Sequence, residues 1–111
     1  MNLKDQVNYE RQYVDIKCGE GFHCERVAGS GRKKQSVADC ILFRDNVCLV
    51  EVKATKDEVF RVTARTRRQL ERMVTVCHRH GLQPLLAIRF KRRGWKEVDL
   101  YNGIPKKVSF R

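Results

Sequence analysis

One stretch of this chain limits the fold more than any other. Residues 37–53 read Val-Ala-Asp-Cys-Ile-Leu-Phe-Arg-Asp-Asn-Val-Cys-Leu-Val-Glu-Val-Lys, two apolar runs joined by a polar tripeptide, with Asp39, Glu51 and Lys53 set inside the apolar part. The runs are too short for helices and rich in strand formers, so they predict a β-hairpin of strands 37–43 and 47–53 turning at Arg44-Asp45-Asn46. Charges buried in such a hairpin need partners or a metal, because desolvating an unpaired charge costs several kcal/mol. Strand parity then makes a sharp condition. Glu51 and Lys53 share a face, about 7 Å apart. A three-residue connection places residue 39 opposite residue 51, whereas a two-residue Asp45-Asn46 turn pairs 39 with 52 and sends the two acids to opposite faces. If the acids act together, the connection has three residues or a bulge restores the parity.

The remainder of the chain, 111 residues in all, is enough for one domain and too little for two, so 1–111 reads as a single unit with one modest core, completed if need be by dimerisation. Lys and Arg number 24 against 13 Asp and Glu, a net charge of +11, which points to a polyanionic partner and to nucleic acid before an anionic membrane. No run of apolar residues exceeds four, and the N-terminus lacks a signal-peptide core, so a cytoplasmic protein with no membrane partner is expected. Five cysteines fall mostly at apolar positions and read as reduced, buried thiols. The spacing disfavours a zinc site: there is no Cys-x-x-Cys, His78 and His80 diverge on a helix, and His23 and Cys24 face opposite sides of a strand.

Outside the hairpin, the apolar period Leu3, Val7, Val14, Cys18 predicts a helix over 3–18, ended by Gly19 and Gly21. Residues 22–28 alternate as a strand with Phe22, Cys24, Arg26 and Ala28 on one face, followed by a basic Gly-Ser-Gly loop over 29–35. Residues 55–61 are polar and read as loop. A second helix spans 64–80, capped by Thr63 and ended by Gly81, with an apolar stripe of Leu70, Met73, Val74 and Cys77 opposite Arg65, Arg68, Arg72 and Arg79. Strands 85–90 and 95–100 flank the basic turn 91–94, and the tail from Tyr101 is short and polar. The order αβββαββ predicts an α/β fold, a mixed central β-sheet flanked by helices.

Glu10 adds a third acid. The steps Leu3, Val7, Glu10, Val14 place it on the core-facing side of the first helix, where an acid is out of pattern unless it meets a partner such as Arg11 or Lys17, or a metal. Two carboxylates and a lysine on a sheet suit metal-dependent phosphodiester hydrolysis: the acids hold a divalent ion, and the lysine steadies the attacking water or the developing charge. A structural ion pair of Lys53 with Asp39 or Glu51 is the competing explanation, and three charges in one patch weigh against it.

Taken together, Asn8-Tyr9-Glu10-Arg11, Arg26-Val27-Ala28-Gly29-Ser30-Gly31, Asp39, Glu51-Val52-Lys53 and Gly94-Trp95 resemble, in order, the archaeal-type Holliday junction resolvases of the PD-(D/E)xK nuclease superfamily. The resemblance runs from about Tyr9 to Leu100 and implies the restriction-endonuclease-like fold. The acid–acid–lysine triplet alone is loose, and the Glu-Arg pair with the Arg-x-Ala-Gly-Ser segment is the specific part. By this resemblance Asp39 and Glu51 bind the metal with the Val52 backbone carbonyl. Glu10 is the helix glutamate, reaching the metal directly or through water. Lys53 is the catalytic lysine, Ser30 an active-site serine on a flexible loop, and Arg11 and Arg26 support DNA binding and catalysis. It also implies Mg²⁺, which Mn²⁺ may replace, no small-molecule cofactor, and a homodimer making paired, opposed nicks in a four-way DNA junction. Two features depart from the family: Arg32, Lys33 and Lys34 crowd the loop after Gly31, and Ala38 stands where the superfamily name has proline.

Phosphate contacts are expected from Arg32, Lys33, Lys34, Arg65, Arg68, Arg72, Lys91, Arg92 and Arg93, although any one arginine of the helix stripe is as readily a solvated face. No recognition helix or zinc finger is present to read bases, so shape is expected to govern recognition. Two alternatives remain at this level. One is a related nicking, repair or restriction-type nuclease acting on duplex DNA, and the other a non-catalytic DNA-binding protein of the same fold. For the dimer, the apolar side of the second helix and the strands after it are the candidate interface.

Overall fold

The computed structural model describes residues 3–27 and 36–111. Its elements are α1 (Leu3–Gly19), β1 (His23–Arg26), β2 (Cys40–Phe43), β3 (Val47–Thr55), β4 (Val59–Arg61), α2 (Ala64–His80), β5 (Gln83–Phe90), β6 (Gly94–Asp99) and β7 (Lys107–Ser109). Five strands make one sheet in the order β1-β2-β3-β5-β6, with β4 and β7 paired separately. All neighbours in the large sheet are antiparallel except β3 and β5, which run parallel and are joined through α2. A parallel pair needs such a crossover, because a tight turn only reverses the chain.

Alternation along the strands sorts the core into two layers. Cys40, Leu42, Cys48, Val50, Val52, Leu85 and Ala87 face α1, where Tyr13 is buried among them. Leu49, Leu86, Ile88 and Phe90 face the other way, against Leu70, Met73 and Cys77 of α2. These three α2 side chains are fully buried and Val74 is partly so, which puts most of the expected stripe in the molecule's own core. Exposed arginines occupy the far side of that helix, as its period requires. Thr63 caps α2 by accepting from the Thr66 N–H at 3.2 Å, and Gly81 ends it in the left-handed region at φ 69°.

Phe43 pairs with Val47, leaving a three-residue connection, 44–46. That is the register the two acids need. A second device lies just ahead of β2. Ala38 and Cys40 have the same parity yet lie in opposite layers, so alternation breaks at Asp39. There the Asp39 N–H donates to the Val50 carbonyl at 2.9 Å, although Cys40 is the residue in register with Val50. Two residues opposing one is a bulge, and it re-aims the Asp39 side chain.

The order αβββαββ therefore needs two additions. Residues 55–61, expected as loop, contain β4, and the tail expected to be short and polar carries β7. Each contributes one buried residue, Phe60 and Val108, and Phe110 packs edge-on against Phe90 with centroids 5.3 Å apart. Arg67 and Lys96 fasten the tail by donating to the carbonyls of Ile104, Pro105 and Ser109. Elsewhere the bounds shift modestly. β1 ends at Arg26, β3 extends to Thr55, and β5 begins before Pro84. Among the described residues, no helix is long and apolar enough to cross a membrane.

Candidate active site

α1 delivers two side chains to the place where β2 parts from β3. Gln6 and Glu10 stand one helical turn apart and so share a face, and Glu10 is only 2% exposed. Asp39, also buried, reaches the same place from the bulge. Its main chain is held on both sides, by Val50 and by the Val27 N–H at 2.8 Å, and its Oδ2 accepts from the Val52 N–H at 2.9 Å. The Gln6 Nε2 lies 2.8 Å from Glu10 Oε2, 3.0 Å from the Val52 carbonyl and 3.3 Å from Asp39 Oδ2. Three acceptor oxygens thus surround one donor nitrogen. Carboxylates and carbonyls only accept, which fixes the orientation of the amide.

Glu51 and Lys53 complete the set from β3. The Lys53 Nζ is 3.4 Å from Glu51 Oε2 and donates to Gln69 Oε1 of α2 at 3.0 Å. Glu51 lies near enough to Asp39 and Glu10 for both to act on its ionisation, which brings the three acids to one place. Arg26, from the neighbouring strand, pairs with Glu10 at 3.3 Å.

Crowding of acids marks the electrostatics. Burial, and then the nearby charge of Asp39, pushes the Glu10 carboxyl above its ordinary range, against hydrogen bonds from Gln6 and Arg26. Burial likewise raises Glu51, with Lys53 pulling the other way. Acids pressed toward their neutral forms in one cleft are what a bound cation would relieve. Among the described residues no three Asp, Glu, His or Cys side chains are grouped to hold an ion by themselves. The oxygens that do converge are two carboxylates and a peptide carbonyl, an all-oxygen set suited to a hard divalent cation.

The structure thus gathers Glu10, Asp39, Glu51, Val52, Lys53 and Arg26. Ser30, Arg32, Lys33 and Lys34 lie outside the described residues. Arg11, Arg65, Arg68 and Arg72 are exposed on the helices, and Arg72 donates to the Ser36 carbonyl at 2.6 Å, tying α2 to the segment that leads into Asp39. Lys91, Arg92 and Arg93 are exposed in the β5–β6 turn, where Arg93 pairs with Glu58 at 2.8 Å. Two site residues escape a reading of the sequence. Gln6 carries a signal, its place one turn ahead of an out-of-pattern acid; Gln69, on the polar side of α2, carries none.

Known proteins resemble this chain in sequence and in fold. The family model of the archaeal Holliday junction resolvase (Hjc) matches residues 1–104. The crossover junction endodeoxyribonuclease Hje of Saccharolobus solfataricus (strain P2) is 31% identical over 111 residues, covering 98% of this chain and 78% of that protein. Its counterpart from Saccharolobus islandicus is 29% identical over the same shares. Among solved structures, Hjc of Archaeoglobus fulgidus superposes with a TM-score of 0.72 at 23% identity, over 93% of this chain and 85% of that one, a likeness of fold. By the extent of the family match, this chain belongs to the archaeal Holliday junction resolvases.

Proposed function

We propose that this resolvase cuts by divalent-cation-dependent hydrolysis at the Glu10–Asp39–Glu51–Lys53 site, and that it acts as a homodimer placing paired, opposed nicks in a four-way junction. The observation that carries the reading is the convergence of Glu10 Oε2, Asp39 Oδ2 and the Val52 carbonyl around one donor nitrogen, all within 3.3 Å of it. Asp39, Glu51 and the Val52 carbonyl would hold Mg²⁺, or Mn²⁺ in its place, with Glu10 joining directly or through water. A cation bound there supplies an acidified water and offsets phosphate charge.

The chain's own groups do the rest. Asp39 is held by the Val52 N–H, so its carboxylate has a set direction. Lys53, steadied by Gln69 and half-neutralised by Glu51, offers an ammonium to the attacking water or to the charge that develops on phosphorus oxygens. Arg26 pairs with Glu10 and offsets part of the burial that disfavours its charge. The exposed arginines of α2 and the 91–93 turn supply phosphate contacts without base readout. Opposed nicks need two sites, and a two-fold dimer presents two.

The test is Asp39→Asn, assayed on a four-way junction with Mg²⁺. Cleavage is expected to fall by about a thousandfold, the rate equivalent of several kcal/mol of lost charge stabilisation, with junction binding retained. Cutting at near wild-type rate would remove Asp39 from the mechanism.

A further inference from the structure

The amide of Gln6 sits where the proposed cation would sit. Its nitrogen takes one carboxylate oxygen from Glu10, one from Asp39 and the Val52 carbonyl, at 2.8, 3.3 and 3.0 Å. Those are three of the oxygens assigned to the ion. An amide NH₂ has two hydrogens for three acceptors, so it answers them incompletely, whereas a cation answers all of them. Gln6 reaches the spot from the first turns of α1 and is only half-buried, so its flexible side chain has solvent to withdraw into.

We propose that Gln6 is an internal occupant of the cation position: its amide holds Glu10, Asp39 and Val52 together in the ion-free protein and must swing out before a divalent ion can bind. Gln6 thereby sets the affinity of the site for its metal. The inference rests on the metal reading of the site above. It assigns to Gln6 a competitive role rather than a ligand's role, and the two have opposite signs. Removing a competitor tightens metal binding, while removing a ligand weakens it.

The experiment is calorimetric titration of Mn²⁺ into DNA-free wild type, Gln6→Ala, Gln6→Met and Asp39→Asn, with thermal melts of each at zero and saturating Mn²⁺. Gln6→Met keeps the length of the side chain and lacks the donor, so it guards against a folding defect in the alanine variant. Expected are a wild-type site lost in Asp39→Asn and about tenfold tighter binding in both Gln6 variants, about 1.4 kcal/mol. Both variants are also expected to melt below wild type without Mn²⁺ and to close or reverse that gap when the ion saturates. A purely structural role would lower both melting temperatures equally. In wild type, the Gln6 side-chain NH₂ resonances are expected to shift on adding Mg²⁺. If Asp39-dependent binding is present but the Gln6 variants bind equally or more weakly, or the NH₂ signals do not move, the occupant is wrong and the metal site stands. If wild type takes up no Mn²⁺ at millimolar concentration, the metal reading fails and this inference with it.

Discussion

Two acids shielded from solvent to different degrees meet opposite fates in this molecule, and their neighbours decide which. Glu10 has Asp39 beside it, and its carboxyl is pushed up. Glu97 of β6 is also partly buried, which alone would raise it, but hydrogen bonds from Arg44, Lys17 and Tyr13 outweigh that and leave its carboxyl below the ordinary 4.5. A depressed carboxylate stabilises the fold above its unfolded pKa, and that contribution disappears as pH falls through the lower, folded value. Glu97→Gln should therefore cost about 2 kcal/mol near neutral pH, the scale of a charged hydrogen bond. The deficit should shrink in urea melts carried progressively below pH 4.5. A deficit unchanged with pH would place the Glu97 contribution in packing. At this scale the acids proposed for catalysis were legible because they break patterns: Glu10 interrupts an apolar stripe, and Asp39 and Glu51 interrupt apolar strands. Gln6 and Gln69 were not. A glutamine on a helix breaks no rule of periodicity, and its importance appears only when the partner oxygens are placed around it.

Among the elements, the hairpin shows how little is needed to set a site. Its three-residue connection sets the register that brings residue 39 level with the end of the β2–β3 ladder, and the bulge there turns the Asp39 carboxylate toward the Val52 N–H. The turn length was one of two readings open from the sequence, and pairing of Phe43 with Val47 decided it. The bulge itself leaves no compositional mark, since it arises from the strand's leaving the ladder. β4 and β7 were hidden for a related reason. Each is three residues long with a single buried side chain, so no alternation exists to detect, and they form because each supplies the other's backbone partners. The second helix was plainer, since its stripe and both caps are local signals. Its Leu70 is wholly buried against the sheet that carries Glu51 and Lys53. Leu70→Ala should lower stability by about 2–5 kcal/mol in denaturant titration, with ion binding in the surviving folded protein preserved. A loss below 1 kcal/mol would mean that the helix rests more loosely on the sheet than its burial indicates.

For the whole molecule, a charge of +11 and arginines spread over an exposed helix face and a turn imply that affinity comes from phosphates and counterion release. Junction affinity measured against salt should fall with a log–log slope of about −0.9 per phosphate contacted, and replacing Arg65 and Arg68 together should reduce that slope by up to about two units. An unchanged slope would make those arginines a solvated face. Composition was enough to foresee the polyanion and not enough to foresee its shape, because on the proposed reading junction selectivity depends on how two copies are arranged. The apolar side of α2, named with the strands after it as a candidate for pairing, lies largely inside the core. The central claim, an acid–lysine site that hydrolyses branched DNA with a divalent cation, is tested most directly by one comparison. Wild-type protein is given a four-way junction and a linear duplex of the same arms, each with Mg²⁺ and with chelator. The account predicts paired, symmetric nicks in the junction with Mg²⁺ and no cutting of the duplex or of either substrate in chelator. Equal cutting of the duplex, or junction cleavage that persists in chelator, would contradict it.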